Sequence, residues 1–315
     1  MNILLYQDWM RPQVIDMFVK EYKVDPVVFE RQFLEFYESS FQKDQCIRIV
    51  AEENGKIGGF QSFFYWPVQF DGQIVRAFQS GNSIVHPDFR GKGLFTKMLD
   101  FIHQPDNNID IDLLIGFPVE ASFKAFMKNN WKNPFNLQWY VKPMQPVKSM
   151  LFDASVRMSR HFQQRHPEII SWPSEINAVQ QDQQFDTYRF QFQLGHYYRY
   201  KFEHNGSSVL FEFKIHQRKK WLKELIIGKM VTSTSDIAIL EQALRSLRKE
   251  VKKSGAVSMM SIAINNQSNE LKQLLIQSGF RKINRQIYFI AKGKLADTVK
   301  DWSNWWISRG DIDTW

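Results

Sequence analysis

The sequence predicts an α/β protein on a mixed sheet (α+β in its connections), on three grounds. Strand-like and helix-like stretches alternate along the chain. Two hairpin signals, Asn54-Gly55 and Asp71-Gly72, fall between apolar runs near the start and predict antiparallel pairing there. Ile84-Val85, the loop Arg90-Gly91-Lys92-Gly93 and the stripe Leu94, Met98, Ile102 then read as strand, glycine turn and helix, leading to a parallel strand.

The elements follow in order. Residues 3–6 form a short apolar strand, and 11–24 and 26–41 read as helices. In the second helix Phe29, Phe33, Phe36 and Ser40 share a face. Residues 46–51, 57–68 and 74–84 are three strands joined by the hairpin turns, and Pro87 ends the third. The helix 93–103 and a loop at Pro105-Asp106-Asn107-Asn108 follow. Residues 109–117 form a strand whose run Leu113-Leu114-Ile115 suits burial on both faces. Pro118 breaks it, residues 120–131 form a short helix, and 138–141 a closing strand.

Residues 144–185 read as a connector punctuated by prolines, with a helix over 147–164. Beyond it, 188–193, 198–202 and 208–215 are strand-like, with a turn at Asn205-Gly206, and 221–230 continues apolar. Residues 236–254 are an amphipathic helix with the stripe Leu240, Ala243, Leu244, Leu247 and Val251, capped by Ser235 or Asp236 and ended by Gly255. A strand at 257–264, a helix at 269–278 ended by Gly279-Phe280, and a strand at 286–291 complete this half. Val299, Trp302 and Trp306 predict a last helix over 295–308, before a tail carrying Asp311 and Asp313.

The glycine loop holds the most specific chemistry. A loop of this kind opening a helix leaves several N–H groups unpaired and pointing one way. With the helix dipole and the charges of Arg90 and Lys92, they suit a phosphate or pyrophosphate. Neither Gly-x-x-x-x-Gly-Lys-Ser/Thr nor Gly-x-Gly-x-x-Gly occurs, so P-loop and dinucleotide sites lack their signatures. Val85-His86-Pro87-Asp88-Phe89-Arg90-Gly91-Lys92-Gly93-Leu94-Phe95 instead resembles the coenzyme A loop of the GNAT superfamily of acyl-CoA-dependent N-acyltransferases. A second likeness lies at Gly116-Phe117-Pro118-Val119-Glu120 with Trp131. Two departures stand out: Val119 replaces a usual asparagine, and Asn130 a usual glycine.

The resemblance implies a GNAT domain over residues 1–143, a connector over 144–185, and a degenerate GNAT-like domain with a Trp-rich tail over 186–315. It implies attack of a neutral primary amine on acetyl-CoA. The backbone of Ile84, Val85 and His86 would hold the pantetheine and polarise the thioester carbonyl. Arg90, Gly91, Lys92, Gly93, Leu94 and Phe95 would hold the pyrophosphate, with Ser122 a further contact. Proximity supplies most of the rate, up to ~7–11 kcal/mol. Gln79 occupies the position of a frequent catalytic glutamate and cannot take a proton, so the base falls to a water chain, Glu53, Glu120 or a tail aspartate such as Asp313. Phe123 and Phe126 stand where a tyrosine acid is frequent. The expected acceptor is a small amine, an amino sugar or amino-acid derivative. Alternatives are a non-catalytic acyl-CoA-binding regulator and an aminoacyl-tRNA-dependent transferase of paired GNAT domains.

Composition sets the bounds. At 315 residues the chain has room for about two domains. Its single cysteine, Cys46, excludes an intrachain disulfide and a thiolate zinc cluster, and no metal is expected. No apolar run approaches the ~20 residues of a membrane span. The first residues lack a basic segment and a cleavage site, so a cytoplasmic protein is expected. The net charge of +8 favours anionic partners, of which coenzyme A is one. Nucleic acid is the less favoured partner: the basic run from Lys214 to Lys223 reads first as a solvated hairpin.

Overall fold

The structure, a computed structural model, describes residues 1–104, 107, 109–151, 153–164, 168–191, 197–219 and 222–313. Most of the loop expected at 105–108, Trp221 in the basic run, and the tail's Thr314 and Trp315 lie outside the described residues. The first half runs β1 (Asn2–Leu5), α1 (Arg11–Tyr22), α2 (Pro26–Tyr37), β2 (Ile47–Glu53), β3 (Lys56–Tyr65), β4 (Val68–Phe70), β5 (Gln73–Val75), β6 (Ala77–Val85), α3 (Leu94–Phe101), β7 (Leu113–Gly116), α4 (Glu120–Lys128) and β8 (Lys132–Pro143). The second half runs α5 (Pro146–Met150), α6 (Ala154–His161), β9 (Gln163–Gln164), β10 (Ala178–Val179), α7 (Gln183–Gln191), β11 (Tyr197–His204), β12 (Ser207–Lys219), β13 (Leu222–Thr232), α8 (Ile237–Ser254), β14 (Met259–Asn265), α9 (Asn269–Gln277), β15 (Arg281–Lys292) and α10 (Lys294–Thr298).

Two compact units divide the chain. One holds Met1–Pro67, Val75–Pro134 and Tyr288–Lys300; the other holds Val68–Ile74, Phe135–Ile287 and Asp301–Trp315. This division differs from the expected boundaries at 143 and 186, because each half gives its last strand away. Residues 137–143 of β8 pair antiparallel with β14 in the second unit. Ile290, Ala291 and Lys292 pair antiparallel with Gly116, Ile115 and Leu114 of β7 in the first. The returning segment is tied down by Leu295 N–H to Asp112 C=O at 3.0 Å and by Lys292 Nζ to Asn129 C=O at 2.9 Å.

In the first unit β1, β2, β3 and β6 pair antiparallel in that order, and β6 pairs parallel with β7. The predicted stripe of α3 buries Leu94, Met98 and Ile102 in a core with Phe63, Phe78, Leu114, Phe126 and Ile290. On the other face Phe18, Phe33 and Tyr37 from α1 and α2 pack their rings on Phe60 of β3. Asp25 caps α2 through Val28 N–H, with Pro26 starting the helix.

The second unit repeats the pattern: β12 and β13 are antiparallel, and β13 is parallel to β14. All five residues of the α8 stripe are buried, Asp236 is its cap, and Gly255 ends it at φ 62°. Three expectations fail here. Residues 188–191 belong to helix α7, because Asp182 holds Phe185 N–H at 2.7 Å and so starts a helix that buries Phe185 and Tyr188. The helix expected over 147–164 is broken, because Asp153 accepts from Ser155 and Val156 N–H and begins α6 afresh. The last helix stops at Thr298: Asn265 Nδ2 binds the Trp302 and Trp305 carbonyls at 2.7 and 2.9 Å, taking acceptors that helical turns would use. The tail tryptophans Trp302, Trp305 and Trp306 are buried in this unit.

Candidate active site

A gap opens in the first unit where β6 outlasts β7. Parallel pairing ends at Ser80 with Gly116, while pairing with β3 continues to Gly59 with Val85. Pro118 follows and cannot extend the ladder. The β6 segment beyond Ser80 therefore has a sheet partner on one side only. His86 N–H donates to Gly58 C=O at 3.0 Å, and antiparallel strands alternate the direction of their hydrogen-bonding groups. Val85 thus turns its N–H and C=O away from β3, into the gap, while Ile84 and His86 face β3. A β-bulge lies just before: between the pairs Phe60–Ile84 and Ser62–Gly81, β6 carries one residue more than β3. Asn82 within it has φ 41°, a left-handed conformation that asparagine tolerates better than most residues.

The glycine loop runs from this strand end to α3. Gly91 at φ 78° and Gly93 at φ 71° turn the chain, and both have open space where a Cβ would be. Among the described residues, the N–H groups of Gly91, Lys92, Gly93, Leu94, Phe95 and Thr96 donate to no protein acceptor; the first donation from the helix is Lys97 N–H to Gly93 C=O. Leu94 is buried and Phe95 packs edge-on against Phe126, so the apolar side anchors the helix while its open end faces solvent. Phe89 holds the loop against β3, where only glycine fits: a Cβ on Gly58 would lie 2.8 Å from the ring.

The two loop cations behave differently. Arg90 donates through Nε to Val85 C=O at 3.0 Å and pairs with Glu21 at 2.7 Å, so it braces the loop. Lys92 lies 5.0 Å over the Phe89 ring, with its ammonium free of any carboxylate among the described residues.

Sequence reasoning missed the polar cluster around the bulge. Asn82 Nδ2 donates to Tyr37 Oη at 2.9 Å, Tyr37 donates to Ser62 Oγ at 3.0 Å, and Ser62 donates to Gly81 C=O at 2.8 Å. Burial pushes the Tyr37 phenol well above its ordinary pKa, so it remains a donor. On the other face Ser83 donates to Gln61 Oε1, and Gln61 Nε2 reaches Ser80 Oγ at 3.1 Å. These residues are spread over α2, β3 and β6 and have no shared spacing in sequence.

The candidate proton acceptors scatter. Gln79 is fully buried beside Phe64 and Ile115, and among the described residues neither of its amide atoms has a partner. Glu53 sits at the β2–β3 turn, 3.5 Å from the N-terminal ammonium, with β3 and β6 between its strand and β7. Asp313 lies in the second unit, its carbonyl bound by Arg189. Ser122 Oγ is turned back on Val119 C=O at 3.2 Å. Glu120, in the first turn of α4, accepts from Tyr288 Oη at 2.6 Å, and that ring stacks on Phe123 at 4.1 Å. Tyr288 comes from the exchanged strand and escaped sequence reasoning, since 165 residues separate it from Phe123. Among the described residues no three His, Cys, Asp or Glu side chains gather as metal ligands.

In the second unit the same position is closed. The β13–α8 connection has no glycine loop, and the Asp236 carboxylate accepts from Ala238 N–H at 2.8 Å, so a negative charge already fills the helix start.

Residues 11–126 match the family model described as the Acetyltransferase (GNAT) domain. No curated protein matches the chain by sequence. A probable N-acyltransferase from Enterococcus faecalis is similar in fold, with a TM-score of 0.62 at 12% identity over 93% of this chain and 72% of that one. A GCN5-related N-acetyltransferase from Anabaena variabilis gives 0.63 at 10% identity over 92% and 72%. N-myristoyltransferase from Saccharomyces cerevisiae, solved with myristoyl-CoA, gives 0.50 at 12% identity over 92% and 77%.

Proposed function

As residues 11–126 match the model of a GNAT acetyltransferase domain, we propose that this protein moves an acetyl group from acetyl-CoA to the primary amine of a small molecule, an amino sugar or amino-acid derivative. One observation carries the proposal: a gap with a free Val85 amide leads straight to six vacant amides at the start of α3. Such donors suit a thioester carbonyl at one end and a diphosphate at the other. The positive net charge favours the same polyanion.

The chemistry then follows. The amine attacks the thioester carbonyl, a C–N bond forms and the C–S bond breaks. Val85 N–H stabilises the charge on the carbonyl oxygen. The amine sheds its proton to water, since Gln79 offers no base. Tyr288, held by Glu120 and Phe123, turns its phenol proton from Glu120 to the leaving thiolate and regains one from water, in place of the tyrosine that α4 lacks. Tyr37 and Ser62 are buried and hold the β6 bulge in shape through Asn82, so they act on the acceptor space through the backbone and not by touching the amine.

The test is thiol release from acetyl-CoA, with octanoyl- and myristoyl-CoA alongside, in the presence of a panel of primary amines. Acceleration by one class of amine with acetyl-CoA preferred is expected. The buried Gln79 amide favours a second reading, an acyl-CoA-binding regulator without transfer. Tight acetyl-CoA binding with no acceleration by any amine would establish that reading and discard the first.

A further inference from the structure

The second unit carries a cavity of about 390 Å³ that the acyl-transfer reading does not use. On one wall Arg245, Arg248, Lys249 and Lys252 recur at i, i+3, i+4 and i+7 of α8, hence on one helical face. Lys142, near the end of β8, lines the other wall. Five cations converge, and among the described residues no carboxylate lines the space. Among the described residues, only Arg245 of the five has an acidic partner, Glu241 on its own helix at 2.7 Å.

The two innermost cations are fixed in place without being neutralised. Lys142 Nζ and Arg248 Nη1 both donate to the Ser278 carbonyl, at 2.9 and 3.0 Å. A shared neutral oxygen orients them and leaves their charge uncompensated. Arg248 Nε is buried with no acceptor. Burial lowers the pKa of both groups; Arg248 lowers Lys142 further, and Arg245 lowers Arg248. The α8 dipole does not account for the cluster, because its influence is confined to the last turn, beyond Arg245 and Arg248.

We propose that this cavity binds a small molecule bearing linked phosphate groups, through Lys142, Arg248 and Lys249. A planar guanidinium with fixed orientation and mobile ammonium groups around it suit phosphate oxygens. The four α8 cations span only about 10 Å of helix, the reach of two or three adjoining phosphates. A nucleic-acid strand would need a longer basic track.

The test is calorimetric titration of the full-length protein with inorganic tripolyphosphate, the variant Arg90→Gln with Lys92→Gln separating this cavity from the α3 loop. One saturable site is expected. Its affinity falls about tenfold or more in the double variant Lys142→Gln with Arg248→Gln, and is unchanged in Arg90→Gln with Lys92→Gln. The exposed pair Lys249→Gln with Lys252→Gln, which leaves the fold untouched, is expected to weaken binding severalfold by about the loss of two exposed charge contacts. Thermal unfolding confirms that each variant is folded. Absence of saturable heat, or equal affinity in the parent and both cavity variants, overturns the proposal. So does tighter binding of a ~16-nucleotide single-stranded RNA through the same side chains, which would make the cavity part of a nucleic-acid surface.

Discussion

Tyr37 shows how much rests on single atoms. Its hydroxyl links Asn82 of the bulge to Ser62 of β3, and both lose a partner in Tyr37→Phe. That variant is expected to be less stable by ~1–3 kcal/mol, read by denaturant unfolding. Its KM for the amine is expected to rise through loosening of the bulge at Asn82, while its affinity for coenzyme A is retained. Gly93→Ala tests the loop: at φ 71° a Cβ costs about 1–2 kcal/mol although nothing stands in its way, and coenzyme A affinity measured by titration is expected to fall with it. A third prediction concerns pH. Burial, with Arg309 and Arg189 near, lowers Lys214 to about 8 from 10.5. Between those values the unfolded chain holds more protons than the folded one, so stability rises with pH across the window. Lys214→Met is expected to flatten that rise in unfolding curves collected from pH 7 to 10.5. At this scale the sequence revealed the glycine loop, whose residues are adjacent. It hid Tyr37, Asn82 and Tyr288, which meet only through tertiary pairing.

Elements were legible where their signals are local. The α8 stripe and its Gly255 end were plain in sequence, as was the strand–loop–helix run into α3. Misread elements share a different cause: a side chain intercepting backbone groups. Asp182 turned an apparent strand into α7, Asp153 split a helix, and Asn265 halted the last one. The Asn130 departure at the end of α4 also has a physical reading. Asn130 takes φ 59°, the conformation for which a glycine is usual at that place. Asn130→Gly is therefore expected to be neutral or slightly stabilising, and Asn130→Ala to cost ~1 kcal/mol, measured by thermal and denaturant unfolding.

At the level of the whole molecule, the fold class and the repeated strand order were readable, but the exchange of final strands was not. No composition shift marks residue 134 or 288, because the exchange lies in the pairing of β8 with β14 and of residues 290–292 with β7, which is non-local. A chain ending at residue 287 is expected to lose protection of β7 amides in hydrogen exchange, together with Tyr288 and acyl transfer, while α8 and β14 keep theirs.

The same exchange sets an order of events during synthesis. As the polypeptide leaves the ribosome, α3 and its glycine loop emerge first, but β7 waits with one bare edge until residues 290–292 follow, after α8 and β14. Translation must pass α9 before the first unit can lock, so shorter nascent fragments carry the motif without the completed sheet beneath it.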